Sequence, residues 1–289
     1  MSLAQELLKG AAVRAKYLIL GLASAAILYP VTIMVLESFD IDLGWIFAYD
    51  PSHPPPTYLN PTLRIYELAL GWRGFPWLMW NSSLVALFTI AISMLVGVPA
   101  GYGFSRFRFR GRDSLGFAVF ALRMIPPFAV LVPFYIVYNR VGLYDTHLGL
   151  SLTYVVLNLP IVVWLMRGFF SDIPRDLQDA AEVDGCTSWQ LLKEIAVPLV
   201  VPGLVSTALL VFFLCWNEYL FALILTGAVK TISRGIWEGM SEAEETAIPY
   251  VADWDEIAVG GTLGIIPSLM LALAIKRYLV RGLTLSVAR

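Results

Sequence analysis

The chain has 289 residues, 58% hydrophobic and 15% charged, with a mean hydropathy of +0.72, which excludes an ordinary soluble domain and indicates a polytopic membrane protein. Its formal net charge of −2 gives no signal for nucleic acid or another polyanion. Two cysteines, Cys186 in a polar loop and Cys215 in an apolar run, supply neither a disulfide framework nor a metal site.

A bilayer crossing takes about 20 mostly apolar residues. Six stretches qualify, approximately Tyr17–Leu36, Leu78–Phe104, Leu115–Tyr138, Leu148–Phe169, Val200–Leu225 and Ile257–Leu279, so the expected fold class is an all-α membrane protein with six transmembrane helices. Ala23-Ser24-Ala25 in the first has the shape of a signal-peptidase site, but the apolar run continues through Ile27, Leu28, Val31, Ile33 and Val35, as in an uncleaved anchor. The second carries Gly97, Ala100, Gly101 and Gly103, small residues that let helices approach closely. The turn after it, ending at Arg112, alternates Arg with Phe. A single-strand nucleic-acid surface has that pattern, but a short loop between spans is better explained by Arg among headgroup phosphates and Phe at the interface.

In the third stretch Arg123 lies about nine residues deep, ahead of Pro126-Pro127. At roughly 13 Å, from a rise of 1.5 Å per residue, snorkelling to the headgroups is only partly adequate. The proline pair also frees carbonyls that tolerate burial only against protein or a water-filled cavity. Residues 123–127 therefore either snorkel or border a pathway. Asn158, before Pro160 in the fourth stretch, has the same ambiguity. Asn217 and Glu218 lie midway along the fifth, flanked by Trp216 and Tyr219. A carboxylate there suits a proton relay, a ligand for hydroxyls with aromatic stacking beside it, or a structural hydrogen bond, and the residues alone leave all three open.

The polar stretch Asp176–Pro202 lies between two strongly apolar runs. Leu177, Ala180 and Ala181 share one narrow helical face amid Asp176, Asp179, Glu182 and Asp184. Gly185 stands where that helix should stop in a left-handed residue. Thr187 and Gln190 have capping-box spacing. A second helix carries Leu191, Leu192, Ile195 and Ala196 until Pro198 and Pro202 are expected to break it.

Positive charge sets the orientation. With the N-terminus inside, the inner segments hold fourteen Lys and Arg and the outer loops hold five (Arg64, Arg73, Arg140, Lys230 and Arg234), leaving Arg123 within a span. Both termini and the Asp176–Pro202 stretch are then cytoplasmic. Of the outer loops, Asp40–Trp77 is proline-rich and expected to be extended. Gly227–Glu256 is acidic (Glu238, Glu242, Glu244, Glu245, Asp253, Asp255 and Glu256) and is either a solvated loop or a docking surface. No G-x-x-x-x-G-K-[ST] is present, and His53 and His147 fall in outer loops away from any carboxylate cluster, so the sequence supports neither nucleotide hydrolysis nor metal or acid–base chemistry on this chain.

Asp179-Ala180-Ala181, Gly185 and Ile195-Ala196-Val197-Pro198 together resemble the EAA loop of binding-protein-dependent ABC importer permeases, with Asp where the family usually has Glu. The resemblance to the maltose-G-like carbohydrate subfamily extends through the turn ending at Arg112, Asn81-Ser82, Pro160–Phe170, Trp216-Asn217-Glu218-Tyr219 and Lys276–Thr284, covering about residues 78–225 and 257–285. It implies a multi-pass permease of a bacterial or archaeal cytoplasmic membrane. The cytoplasmic tail would be 1–16, the permease domain 17–285 and the C-terminal tail 286–289. A coupling helix-turn-helix, 171–202, would lie between helices 4 and 5. By the same resemblance the permease pairs with a second, homologous permease, two cytoplasmic ATPase subunits that bind ATP and Mg, and an extracytoplasmic solute-binding protein. Asp179, Ala180, Ala181, Asp184, Gly185 and Pro198 would couple to the ATPase. Arg123, Asn158, Trp216, Asn217, Glu218 and Tyr219 are the candidate pathway residues. The alternative is an ion-coupled secondary transporter using Glu218, which predicts inverted repeats with matching interrupted helices, and no such pairing is visible in the sequence.

Overall fold

The computed structural model describes residues 3–39, 41, 61–71, 74–237 and 254–287, and among these every regular element is helical. They form two compact units, residues 1–75 with 236–263 and residues 76–235 with 264–289, each described by itself. His53, most of the proline-rich loop, and Glu238, Glu242, Glu244, Glu245 and Asp253 lie outside the described residues.

The first unit begins with α1, Leu3–Glu37, which starts within the expected N-terminal tail and is solvent-exposed from Val13 to Thr32. A helix this apolar and this exposed has lipid as its natural surroundings. Its end is tied by Ser38 Oγ, 2.7 Å from Tyr66 Oη on α2, Arg64–Gly71. Further along, a Cβ built on Gly261 would stand 2.7 Å from Met34 Sδ, so the helices close on a small residue there.

The second unit is built on α3, Phe75–Arg106, and α6, His147–Ser171. Along α6, Leu150, Tyr154, Asn158, Val162, Met166 and Phe170 recur every four residues and are all buried. That spacing gives one inward stripe, and α3 meets it through its small residues. A Cβ on Gly97 would be 2.5 Å from Val162 Cγ1 and one on Gly101 2.5 Å from Met166 Cβ, whereas Gly103 meets only Phe107 at 3.9 Å. Thr89 Oγ1 on α3 also donates to the Ser151 carbonyl on α6 at 3.3 Å.

Among the described residues, four helices are long and apolar enough to cross a bilayer: Val13–Glu37, Phe75–Arg106, His147–Ser171 and Ile257–Ala274. The number rises to six if each of two sharply bent pairs counts as one crossing. The expected third span is the first bent pair. α4, Arg112–Ala121, passes into a 3-10 turn at Leu122–Met124 and meets α5, Pro127–Val141, at 86°. Proline drives the preceding residue out of the helical region, and Ile125 (ψ 126°) and Pro126 (ψ 132°) are both extended.

The expected fifth span is also broken. α7, Arg175–Val183, leads to α8, Ser188–Leu199, whose residues Leu191–Ala196 are wound as a π-helix. The helix runs past Pro198 and bends by 80° at Val200 into α9, Val201–Trp216. Pro198 therefore does not end the element as expected. It has no N–H for the Glu194 carbonyl, and a wide turn precedes it. After Asn217–Tyr219 the chain resumes as α10, Leu220–Leu225, then turns into α11, Ile232–Trp237. The last helix, α12, is Trp254–Val287 and continues into the expected C-terminal tail.

Candidate functional site

The polar turn between α6 and α9 is organised by local rules. α7 ends in a Schellman motif: Gly185 has φ +85°, its N–H reaches Glu182 O at 3.1 Å, and Cys186 N–H reaches Ala181 O at 3.0 Å. The Thr187–Gln190 capping box is complete, with Thr187 N–H donating to Gln190 Oε1 at 2.8 Å and Gln190 N–H to Thr187 Oγ1 at 3.3 Å. The apolar face of α7 is divided. Ala181 is buried against its own chain, while Leu177, Asp179, Ala180, Val183, Asp184 and Gly185 are exposed, Val183 at 88%. Trp189 and Pro198 are exposed as well. The turn thus offers a small apolar and acidic surface on a rigid base.

The second candidate region is the break between α9 and α10. Glu218 caps α10. Its carboxylate accepts from Phe221 N–H at 3.0 and 3.1 Å, from Ala222 N–H at 3.3 Å and from Tyr154 Oη–H at 2.8 Å. The Glu218 carbonyl accepts from Ser233 Oγ at 2.6 Å. A helix N-terminus inside an apolar segment has unpaired N–H groups, and a carboxylate satisfies them. Asn158 belongs to the same cluster, donating to Tyr154 O at 2.8 Å and lying 3.7 Å from Cys215 Sγ.

The remaining candidates are spread around this cluster. Trp216 donates from Nε1 to Gly264 O at 3.0 Å and stacks on Phe212. Asn217 is exposed and donates to Phe213 O at 2.8 Å, and Tyr219 precedes α10. Arg123 is exposed and donates to Leu157 O at 2.9 Å. Pro160 lacks the N–H that the Val156 carbonyl would accept, and Arg123 reaches the next carbonyl along. The structure therefore joins Asn158 to Glu218 and leaves Asn217 and Arg123 on exposed surface.

At the far end of α6 from the polar turn, the segment after α10 is stitched down rather than solvated, so the expected free loop starts later than Gly227. Asp145 (φ 56°) accepts from the N–H groups of Gly227, Ala228 and Val229 at 2.7, 3.0 and 2.9 Å. Burial raises its carboxyl pKa, but those three donors and the Arg234 guanidinium outweigh burial and hold it below the ordinary carboxylate value. Asn81 donates to Lys230 O at 2.9 Å and faces His147 Nε2 at 2.8 Å, Ser82 Oγ accepts from Ile232 N–H, and Arg234 donates to Thr226 O. Sequence reading missed Tyr154, Ser233 and Asp145. Only Tyr154 left a signal, since it lies four residues before Asn158 on the same helical face.

The family model for binding-protein-dependent transport system inner membrane components matches residues 93–285, a range that includes both regions. The chain belongs to that family. Among relatives, the probable ABC transporter permease protein y4oR of Sinorhizobium fredii is 34% identical over 258 residues, 89% of each chain. The trehalose/maltose transport system permease protein of Thermococcus litoralis is 33% identical over 279 residues, 92% of this chain and 94% of that one. The trehalose transport system permease protein of Mycobacterium tuberculosis is 35% identical over 208 residues, 71% and 73%. In fold, the permease resembles a chain of a bacterial ABC transporter involved in alginate import, with TM-score 0.71 at 22% identity over 96% of this chain and 98% of that one. Members of this family are inner membrane components of binding-protein-dependent transport systems, so the polar turn and the broken helix belong to a transport protein.

Proposed function

We propose that this permease is one of two homologous membrane subunits of an ATP-driven importer for sugars, polyols or related polar solutes and forms half of the translocation pathway. The observation that carries this reading is the exposed face of α7 on its rigid Schellman turn, inside the family match. Each bent helix pair counts as one crossing, giving six, with both termini and the polar turn cytoplasmic as the positive charges require. Leu177, Ala180 and Val183 then enter a groove on a cytoplasmic ATPase subunit, with Asp179 and Asp184 facing basic residues there and Gly185 allowing close backbone approach. Ala181 instead fastens α7 to the permease itself.

ATP and Mg bind on the two ATPase subunits. Closure of that pair draws the coupling turns together, and the bent spans rock to open the pathway towards a docked solute-binding protein. The carbohydrate assignment is supported by the names of relatives, which include trehalose, maltose and maltodextrin permeases. Ion-coupled transport through Glu218 has no such support, and that carboxylate is occupied as a helix cap.

Gly185→Arg tests the reading in the reconstituted complex. The variant is expected to insert normally but to lose attachment of the ATPase subunits and ATP-driven uptake. Intact attachment and uptake would show that the turn is merely interfacial.

A further inference from the structure

The polar turn is fastened to α3 as well as chained to α6. Tyr102 on α3 is 4% exposed, its ring packs edge-on against the fully buried Phe170 at 5.4 Å, and its hydroxyl accepts from Gln178 Nε2 on α7 at 2.8 Å. One turn further, Arg106 Nη2 donates to Phe170 O at 2.7 Å and Ile173 O at 2.8 Å. Those carbonyls end α6 and open the link to α7, where regular helical pairing stops and Phe170 O keeps only a long bond from Ile173 N–H, 3.4 Å, beside the Asp172 cap. Gly101, one residue before Tyr102, brings the α3 backbone so near α6 that a Cβ would stand 2.9 Å from Arg167 N.

The covalent link from α6 to α7, residues 172–174, is short but could hinge on its own. From α3, Arg106 holds one side of it and Tyr102, through Gln178 of α7, holds the other. A force on the exposed face of α7 therefore cannot swing α7 about the link without breaking bonds to α3. We infer that Arg106 and the Tyr102–Gln178 pair are positioning residues that pass displacement of α7 to α3, the helix before the broken third span, as well as to α6. This rests on the reading of α7 as the element that docks the ATPase.

The test uses the complete transporter in proteoliposomes, measuring attachment of the ATPase subunits, ATP hydrolysis and solute imported per ATP. The variants are Arg106→Met, Tyr102→Phe, Gln178→Leu and the Tyr102→Phe/Gln178→Leu pair. Attachment and hydrolysis should persist while solute per ATP falls, roughly tenfold for Arg106→Met and about fivefold for either partner of the hydroxyl–amide bond, within the usual range of coupling energies. Both single changes remove the same bond, so the double variant should be no worse than either alone.

Wild-type stoichiometry in all four variants would overturn the inference. If Arg106→Met fails to assemble, the hydroxyl–amide pair decides: a shared, non-additive loss supports the inference, and unchanged or independent effects overturn it. Gly185→Arg run alongside keeps the two ideas apart. Lost attachment in Gly185→Arg with normal stoichiometry in the four variants sinks only the α3 fastening, whereas intact attachment in Gly185→Arg sinks the docking assignment itself.

Discussion

Two glycines two residues apart on α3 should respond to alanine with opposite sign. A Cβ on Gly101 would lie 2.5 Å from Met166 Cβ and 2.9 Å from Arg167 N, atoms that cannot swing away because they are backbone or fixed to it. Ordinary carbon contacts are about 3.5–4.0 Å, so α3 and α6 must separate locally by roughly 1 Å. Overpacking of that kind costs about 1–3 kcal/mol, against which alanine returns up to about 1 kcal/mol of helix propensity. Gly101→Ala should therefore be destabilising by up to about 2 kcal/mol. At Gly103 the nearest atom is Phe107 Cδ2 at 3.9 Å, ordinary contact, so Gly103→Ala should keep the propensity gain of up to about 1 kcal/mol. Thermal unfolding of the assembled complex in detergent, followed by tryptophan fluorescence, compares them directly. At about 2–4 °C per kcal/mol, Gly101→Ala should melt below wild type and Gly103→Ala at or above it. Equal shifts, or the reverse order, would refute close packing of α3 on α6 through Gly101.

Three further outcomes are expected. Because the Asp145 carboxyl is held below its unfolded value, its stabilisation is complete above about pH 4 and disappears as the pH falls through the lower folded value. Hydrogen-exchange protection of Gly227, Ala228 and Val229 should drop over that range, and Asp145→Asn should lower it already at neutral pH. Glu218→Leu leaves Tyr154 Oη–H and the Phe221 and Ala222 N–H groups unpaired, at about 1–3 kcal/mol for each buried group, and should lower the melting temperature sharply. Glu218→Gln, which keeps an acceptor, should do so less and should retain ATP-driven uptake; uptake lost in this variant, with protonophore-sensitive uptake in the wild type, would instead favour ion coupling. Thr187→Ala removes one half of the capping box and should cost about 1 kcal/mol, readable as faster proteolysis within residues 185–199.

Much of the polar turn was legible in the sequence because its bonds are short-range. The Gly185 stop and the Thr187–Gln190 box each close within five residues, so residue type and spacing suffice to call them. The apolar spans were legible for a similar reason, since bilayer thickness imposes a length on any crossing. The family resemblance likewise rests on contiguous motifs, and the family match covers most of them.

Other features depend on partners that no local pattern announces. Glu218 reads as an isolated carboxylate until Tyr154, 64 positions earlier, and the α10 N–H groups are brought around it. Arg106 reads as one positive charge among several until α6, 64 and 67 positions away, ends against it. Ala180 and Ala181 are identical in type, and only the packing of α7 exposes one and buries the other. Pro126-Pro127 foretold a break, but the 86° between its arms depends on where α4 and α5 find their neighbours. Sequence alone determined that the chain is helical, which stretches are apolar enough to cross a bilayer, and where the polar turn stops and restarts, because backbone hydrogen bonding and bilayer thickness act locally. Tertiary structure decided which polar groups are caps, which are fasteners and which remain exposed, because satisfying a buried polar group requires a partner that only the folded chain brings near.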